Sequence, residues 1–151
     1  MQFLFGLDFG SFRDIQRHRA VVQRMPLLTT FYGFEPWYLE QIPPILAEEA
    51  LALLADQQQT LTTTGITDEL RQYYLPMGLR VGCRLTGDLP ALVYLVERRA
   101  NIDVHPTLRV IAQGIGEHLT QNFGNLGLKI YTNLEGDRFN YNRGKQDIVE
   151  K

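Results

Sequence analysis

The sequence predicts a mixed α/β domain with a small sheet and about four helices. Short apolar and aromatic runs alternate with longer segments whose apolar residues recur at helical spacing. Helix-capping residues and prolines stand where these longer segments begin or end. The chain has 151 residues, of which 44% are hydrophobic and 21% are charged. This length and composition suit one domain with a sizeable core.

The first third of the chain predicts a strand, a short helix and an irregular stretch. Residues 3–7 are apolar and predict the strand, which ends before Gly10. Ser11 is expected to cap a short helix over residues 12–19. Residues 20–37 are predicted to be irregular because they contain two prolines, which break regular structure.

Two helices are predicted in the middle of the chain. Pro43 and Pro44 open a segment rich in Ala, Leu, Glu and Gln, which predicts a long helix near residues 43–60. We expect this helix to pack across the sheet. Thr67 is expected to cap a second, short helix that ends near residue 74, before a proline.

The remainder predicts a strand, two helices and a polar end. Residues 79–85 alternate between charged and apolar positions, with Arg80 and Arg84 on one face. Leu79, Val81, Cys83 and Leu85 form the other face. Asp88 caps a helix over residues 89–99, and Pro106 opens another that reaches residue 123. Residues 129–133 predict a last strand. We divide the chain into a domain over residues 1–123 and a polar tail or partner-dependent segment over residues 124–151.

Charge and cysteine content exclude several classes of protein. The net charge of −2 creates no global field that would attract nucleic acid, so an anion site must be local. No apolar run approaches the roughly 20 residues that span a bilayer, and we expect no signal peptide in the first residues. Cys83 is the only cysteine, which rules out an internal disulfide and a cysteine-rich zinc site. We therefore expect a cytoplasmic protein.

The candidate anion site is Arg17, His18 and Arg19, three consecutive residues after the first predicted helix. Two guanidiniums beside an imidazole repel one another unless an anion neutralises them. Guanidinium donors match phosphate oxygens in pairs. A solvated basic turn is the alternative interpretation of these three residues.

Three blocks of sequence resemble the flavin-dependent thymidylate synthase family. They are FGSFRDIQRHR, GITDELRQYYLPMGLRVGCRLTGDLPALVYLVERRAN and VHPTLRVIAQGI. They occur in the family's order and cover most of residues 3–118, whereas residues 124–151 have no match. The resemblance implies a thymidylate synthase-like fold and binding of FAD by Arg17, His18 and Arg19. It also implies a homotetramer whose flavin sites lie between subunits.

The family's N-terminal third has no counterpart here, so the chain resembles the C-terminal portion of such a protein or the second half of a duplicated one. A missing N-terminal domain of the same protein is therefore one expected partner. The uncovered sheet edge near Phe3, Phe5 and Phe9 also predicts a homo-oligomer. We expect neither a membrane nor a nucleic acid as partner.

Substitutions at family positions argue against catalysis by this chain alone. After Arg-His-Arg, active family members carry Ser, Asn, Ser and Arg where this chain has Val22, Arg24, Leu27 and Thr29. The family's second Ser and its Arg hold the substrate nucleotide. Gln72 stands where the family has a nucleotide-binding arginine, so the resemblance implies that it is a substrate-binding residue, although it carries no charge.

One substrate position is retained, because Arg99 matches the family arginine that faces the pyrimidine nucleotide. Tyr94 and Asp103 replace other family residues. We expect binding of FAD or a nucleotide phosphate. NADPH and methylenetetrahydrofolate would serve only an active enzyme. The alternative is a non-catalytic structural or oligomerisation domain that has lost the flavin and dUMP sites.

Other chemically versatile residues predict structural roles. His18, His105 and His118 lack metal-ligand spacing, so no metal site is predicted. Cys83 is expected in the core. The aromatic residues Trp37, Tyr73 and Tyr74 are expected mainly to pack in the core, with stacking on a ligand ring as the alternative.

Overall fold

The fold is built on one antiparallel sheet of three strands. The structure, a computed structural model, describes residues 1–137, 140 and 142. The strands are β1 (Gln2–Asp8), β2 (Val22–Arg24) and β3 (Arg80–Thr86), and their order in the sheet is β1-β3-β2. The predicted strands at residues 3–7 and 79–85 are confirmed. β2 falls in the stretch predicted to be irregular, because three residues give too short a pattern to stand out in the sequence.

Six α-helices accompany this sheet in the described part of the chain. They are α1 (Phe9–Ile15), α2 (Pro36–Glu40), α3 (Pro44–Thr63), α4 (Asp68–Arg71), α5 (Leu89–Arg99) and α6 (Pro106–Phe123), with 3₁₀ turns at Gln72–Tyr74 and Gly124–Leu126. The mixed α/β class is confirmed, and the expected number of about four helices is too low. α2 is not predicted from the sequence, because proline usually interrupts a helix; Pro36 instead lies in the first turn of α2, where proline is accommodated.

The first helix begins earlier than predicted. Asp8, at the end of β1, is its cap, because one carboxylate oxygen accepts a hydrogen bond from the Ser11 amide at 2.9 Å. Ser11 lies inside the helix instead, and its hydroxyl is 2.6 Å from that of Thr107 on α6. The helix ends at Ile15 rather than near residue 19. Arg17 and Arg19 therefore lie in the turn between α1 and β2.

The core lies between the inner face of the sheet and helices α5 and α6. Its most buried side chains are no more than 2% exposed and include Leu7, Val81, Leu85, Leu92, Leu95 and Leu108. The predicted alternation along β3 is confirmed, and Cys83 is buried as expected. Burial, together with the nearby Asp8 carboxylate, raises the pKa of the Cys83 thiol to about 12. This thiol stays protonated and belongs to the core.

The long helix near residues 43–60 exists, but its predicted packing across the sheet is wrong. Leu61 is its one buried residue, and Leu53 is 70% exposed. α6 packs against β1 instead, and α5 packs against α6. Helical periodicity predicted that α3 would form, but composition alone could not show which of the long helices would cover the sheet.

The predicted last strand at residues 129–133 is absent. This segment instead crosses the α5–α6 pair, where the Tyr131 amide donates to the Glu97 carboxylate at 3.0 Å. Arg109 on α6 is 1% exposed and donates to the Asp137 carbonyl at 2.8 Å. β-propensity in the sequence therefore marked an extended segment whose hydrogen-bond partners are helix side chains. The rest of the predicted tail lies mostly outside the described residues.

β1 lies at an edge of the sheet, where the sequence predicts an uncovered edge. Leu4 is 74% exposed, whereas Phe3, Phe5 and Phe9 are partly buried against the core. None of the helices in the described part of the chain combines the length and hydropathy needed to span a bilayer.

Candidate functional site

The Arg-His-Arg turn is held by backbone and side-chain hydrogen bonds. The His18 amide donates to the Ile15 carbonyl at 2.9 Å, and the Val21 amide donates to the His18 carbonyl at 3.2 Å. The Gln23 side-chain amide, on β2, donates to both of those carbonyls, at 3.0 and 2.9 Å. This turn is therefore fixed on both sides, and its arginine side chains extend from a rigid support.

The turn faces the C-terminal end of α5, and together they form a cleft of about 270 Å³. Its lining includes the charged and aromatic side chains of Arg17, His18, Arg19, Tyr94, Arg98 and Arg99. We call this the basic cleft. Four of these residues, Arg17, His18, Arg19 and Arg99, are predicted from the sequence, whereas Arg98 is not and Tyr94 stands there only as a replaced family position. The helical spacing of Tyr94 and Arg98, one turn apart on α5, is a signal that could have found them.

Arg99 is fixed by contacts with the turn. Its Nε donates to Nε2 of His18 at 2.8 Å, and its Nη2 donates to the Asp14 carbonyl at 3.0 Å. The Tyr94 ring meets the His18 ring edge-on, with centroids 5.9 Å apart. Residues 81 positions apart in the chain are therefore joined directly at the site.

The electrostatics of the basic cleft favour a neutral His18 imidazole and an anionic ligand. Burial, then the charges of Arg99 and Arg98, lower the pKa of His18, and Asp14 opposes them. An imidazole that accepts a hydrogen bond at Nε2 carries its proton on Nδ1. Four guanidiniums thus line the cleft, while Arg17 forms an ion pair with Asp14 at 3.4 Å. Positive charge remains in excess, which attracts phosphate.

Gln72, predicted to bind substrate, does not line the basic cleft. Its side-chain carbonyl accepts from the Leu28 amide at 2.6 Å, and its amide donates to the Leu28 carbonyl at 3.1 Å. The same amide donates to the Asp68 carbonyl at 2.9 Å. Gln72 therefore holds the loop after β2 against α4. The structure brings Arg17, His18, Arg19 and Arg99 together and leaves Gln72 apart from them.

The other histidines have structural contacts. His105 Nδ1 is 2.9 Å from the Thr107 hydroxyl, and its ring packs edge-on against half-buried Trp37. His118 packs edge-on against Phe3. Across the part of the chain that the structure describes, no three His, Cys, Asp or Glu side chains form a group suited to a metal ion.

The prediction that Trp37, Tyr73 and Tyr74 pack mainly in the core is wrong for the two tyrosines. Tyr73 is 86% exposed and Tyr74 is 57% exposed. Both lie in the 3₁₀ turn Gln72–Tyr74, directly after α4. An aromatic side chain predicts burial only when its backbone faces the core.

Comparisons with known proteins find similar sequences but no matching family model. No protein-family model matches this chain. It is 30% identical to a UPF0159 protein of Chlamydia muridarum over 115 residues, which are 76% of this chain and 22% of that protein. It is 32% identical to a UPF0159 protein of Thermoplasma acidophilum over 108 residues, 70% of this chain and 21% of that protein. The UPF0159 protein of Chlamydia pneumoniae is 29% identical over 109 residues, 72% of this chain and 20% of that protein.

The chain therefore spans about a fifth of the length of these relatives. Their names state no activity. The features that bear on function are the geometry of the basic cleft and the resemblance of the three sequence blocks.

Proposed function

We propose that this chain is a divergent flavin-dependent thymidylate synthase-like domain that binds FAD or a nucleotide through phosphate. The convergence of Arg17 and Arg19 with Arg98 and Arg99 in one cleft carries this proposal. A basic turn that served only solubility would need no second pair of arginines opposite it. Like charges gathered in a cleft repel one another, and a bound phosphate relieves that repulsion.

The residues of the basic cleft fit the phosphate portion of the ligand. A volume of about 270 Å³ suits a phosphate or diphosphate group and is too small for all of FAD. Arg17, with a side chain 72% exposed, and Arg19 can approach an anion from the solvent side. When bound, reduced FAD supplies hydride transfer.

His18 and Arg99 have distinct roles in this proposal. His18 accepts the Arg99 hydrogen bond and so fixes the direction of the guanidinium. A guanidinium already held in place loses less conformational entropy when a phosphate binds. His18 is therefore a positioning residue. Arg99 presents its remaining donors to the ligand.

The proposal excludes thymidylate synthesis by this chain alone. Leu27 is 48% exposed and offers no hydroxyl, and the Thr29 hydroxyl accepts a bond from the Phe31 amide at 3.3 Å. Gln72 is engaged by the Leu28 backbone. Hydride transfer to a nucleotide requires reactants held within a fraction of an ångström, which these residues cannot provide.

A titration with FAD tests the binding proposal. We expect FAD to bind the 151-residue chain in a salt-sensitive manner and riboflavin, which lacks phosphate, to bind far more weakly. Arg17→Ala and Arg19→Ala should each reduce the affinity about 10- to 100-fold, because each removes a charge-assisted hydrogen bond of about 1.5–3 kcal/mol. Arg13→Ala, exposed on α1 and outside the cleft, is the matched control.

The titration also separates the proposal from its alternative. If FAD fails to bind, or if the two cleft variants bind like the Arg13 control, the chain is a structural or oligomerisation domain. A separate assay measures tritium release from labelled deoxyuridylate with FAD, NADPH and methylenetetrahydrofolate. We expect no turnover above background, and clear turnover would show that other residues replace the missing serine and arginine.

A further inference from the structure

Tyr94 adds an aromatic ring to the basic cleft. The residue lies on α5 and lines the same space as the four arginines, yet it is 58% exposed. A tyrosine ring is a broad, rigid and partly apolar surface, and exposure makes that surface available to a ligand. The basic cleft therefore offers a flat surface for contact as well as positive charge.

His18 holds the Tyr94 ring and leaves one of its faces free. The two rings meet at an interplanar angle of 66°, with centroids 5.9 Å apart. His18 is in turn held by the Arg99 hydrogen bond at 2.8 Å. An edge-on contact of this kind covers at most one face of the tyrosine ring. No aromatic ring other than His18 contacts Tyr94 within the described part of the chain, so its second face is not stacked on a neighbouring ring.

Small side chains stand on either side of this ring. Ala91 lies one turn before Tyr94 on α5, and Ala20 follows Arg19 in the turn, and both line the basic cleft. Each contributes only a methyl group, whereas a longer side chain at either position would fill space beside the tyrosine. This arrangement leaves room for a second flat ring in the offset-stacked geometry that aromatic pairs prefer.

The spacing of Tyr94 and the arginines matches a ligand with two chemically different ends. Arg98 is four residues after Tyr94, so their Cβ atoms lie about 5–6 Å apart on one face of α5. A nucleotide joins its aromatic base to its phosphate through a single ribose, which bridges a gap of this kind. A phosphate bound by the arginines can therefore leave its base against the Tyr94 ring.

We propose that Tyr94 makes the basic cleft selective for phosphates that carry an aromatic base. The base stacks on the free face of Tyr94 while the arginines bind the phosphate. This inference rests on the proposed function, because it requires phosphate binding in the same cleft. It identifies the ligand class as nucleotides, in preference to sugar phosphates. Stacking of a base on an aromatic side chain raises affinity about 5- to 100-fold.

The test compares three ligands by isothermal titration calorimetry of the 151-residue chain at low ionic strength. They are adenosine 5′-monophosphate, uridine 5′-monophosphate and ribose 5-phosphate. All three carry the same phosphate on a ribose, and only the two nucleotides carry a base. We expect both nucleotides to bind about tenfold or more tightly than ribose 5-phosphate.

Variants of Tyr94 separate stacking from other effects. Tyr94→Leu keeps an apolar side chain and a good helix former but removes the flat ring. It should reduce the affinity for both nucleotides to that for ribose 5-phosphate and leave the ribose 5-phosphate affinity unchanged. Tyr94→Phe keeps the ring and should bind nucleotides nearly as the native chain does. Tyr73→Leu is the matched control, because Tyr73 is 86% exposed and lies outside the basic cleft.

Two results would overturn the inference and leave phosphate binding in place. The first is that neither nucleotide binds more tightly than ribose 5-phosphate. The second is that Tyr94→Leu weakens all three ligands equally, which would mean that the ring acts by holding His18 and Arg99. If neither these ligands nor FAD bind at all, the proposed function fails as well, so the two failures are distinguishable.

Discussion

Helices α3 and α6 have similar lengths, 20 and 18 residues, and differ greatly in what they bury. α6 buries nine residues, among them Leu108 and Leu119 at 0% exposure, whereas α3 buries Leu61 alone. Both begin with a proline in the first turn, and α3 is the richer of the two in the strong helix formers Ala, Leu, Glu and Gln. The contrast shows that local sequence decides whether a helix forms, and that its burial depends on what the rest of the chain presents to it.

Truncation of a buried side chain on α6 should have the largest effect on the free energy of unfolding. Leu108→Ala on α6 should lower the free energy of unfolding by about 2–5 kcal/mol, because it opens a cavity in the close-packed core. Leu53→Ala on α3, at a side chain 70% exposed, should change it by about 0.5 kcal/mol or less. Denaturant titration followed by circular dichroism measures both. Equal losses would mean that α3 is covered in the folded protein.

Removal of the Gln72 side chain should come next in size. Gln72→Ala leaves the Leu28 amide and carbonyl without their side-chain partner. Leu28 is only 4% exposed, so water cannot readily replace that partner. We expect a loss of about 1–3 kcal/mol in the free energy of unfolding. Gln59→Ala, at an exposed position on α3, is the control and should have little effect. A neutral Gln72→Ala would show that this loop is not held by its side chain.

Removal of a helix cap should have a smaller effect on stability, and the effect should differ between α5 and α4. The Asp88 carboxylate caps α5 by accepting from the Ala91 amide at 2.9 Å, and Asp88→Ala should cost about 1 kcal/mol. Thr67 caps α4 through a longer bond of 3.4 Å, so Thr67→Ala should cost less. Thermal unfolding of the two variants checks the order. A larger decrease in the unfolding temperature for Thr67→Ala than for Asp88→Ala would contradict this order.

The smallest expected effect is a pH dependence from His18. Burial and the charges of Arg99 and Arg98 lower the pKa of His18 below its usual 6.5. Between that lowered pKa and 6.5, the unfolded chain binds more protons than the folded one. The contribution of His18 to stability is therefore complete above about pH 6.5 and declines as the pH falls below it. His18→Gln should flatten the unfolding free energy in this window. A slope that persists in His18→Gln would assign the dependence to another group.

Much of the fold follows from local patterns in the sequence. β3 was predicted because its alternation of charged and apolar residues is regular over seven positions. The helices after Asp88 and Pro106 were predicted from a cap and a first-turn proline, both of which act within a few residues. β2, α2 and the true start of α1 were missed, because three to seven residues carry little periodicity and because Asp8 and Ser11 are equally good caps in sequence.

The candidate sites divide in the same way. Arg17, His18 and Arg19 are adjacent in sequence, so their cluster was visible there, and the resemblance added Arg99. Their contact with Arg98 and Tyr94 depends on how α5 packs beside the turn. The pairing of Gly6 with Gly82 is not predicted from the sequence, because it depends on the register of β1 against β3.

The sequence by itself determined the helices with strong caps, the alternating faces of the strands and the charges of the Arg-His-Arg turn. These properties depend on interactions between residues that are near neighbours in the chain. The tertiary structure decided that α6 rather than α3 covers the sheet, and that the tail crosses α5 and α6. It also decided that Arg99 meets His18 across 81 positions. Such contacts depend on the order of strands and on packing in three dimensions, which a local pattern does not specify.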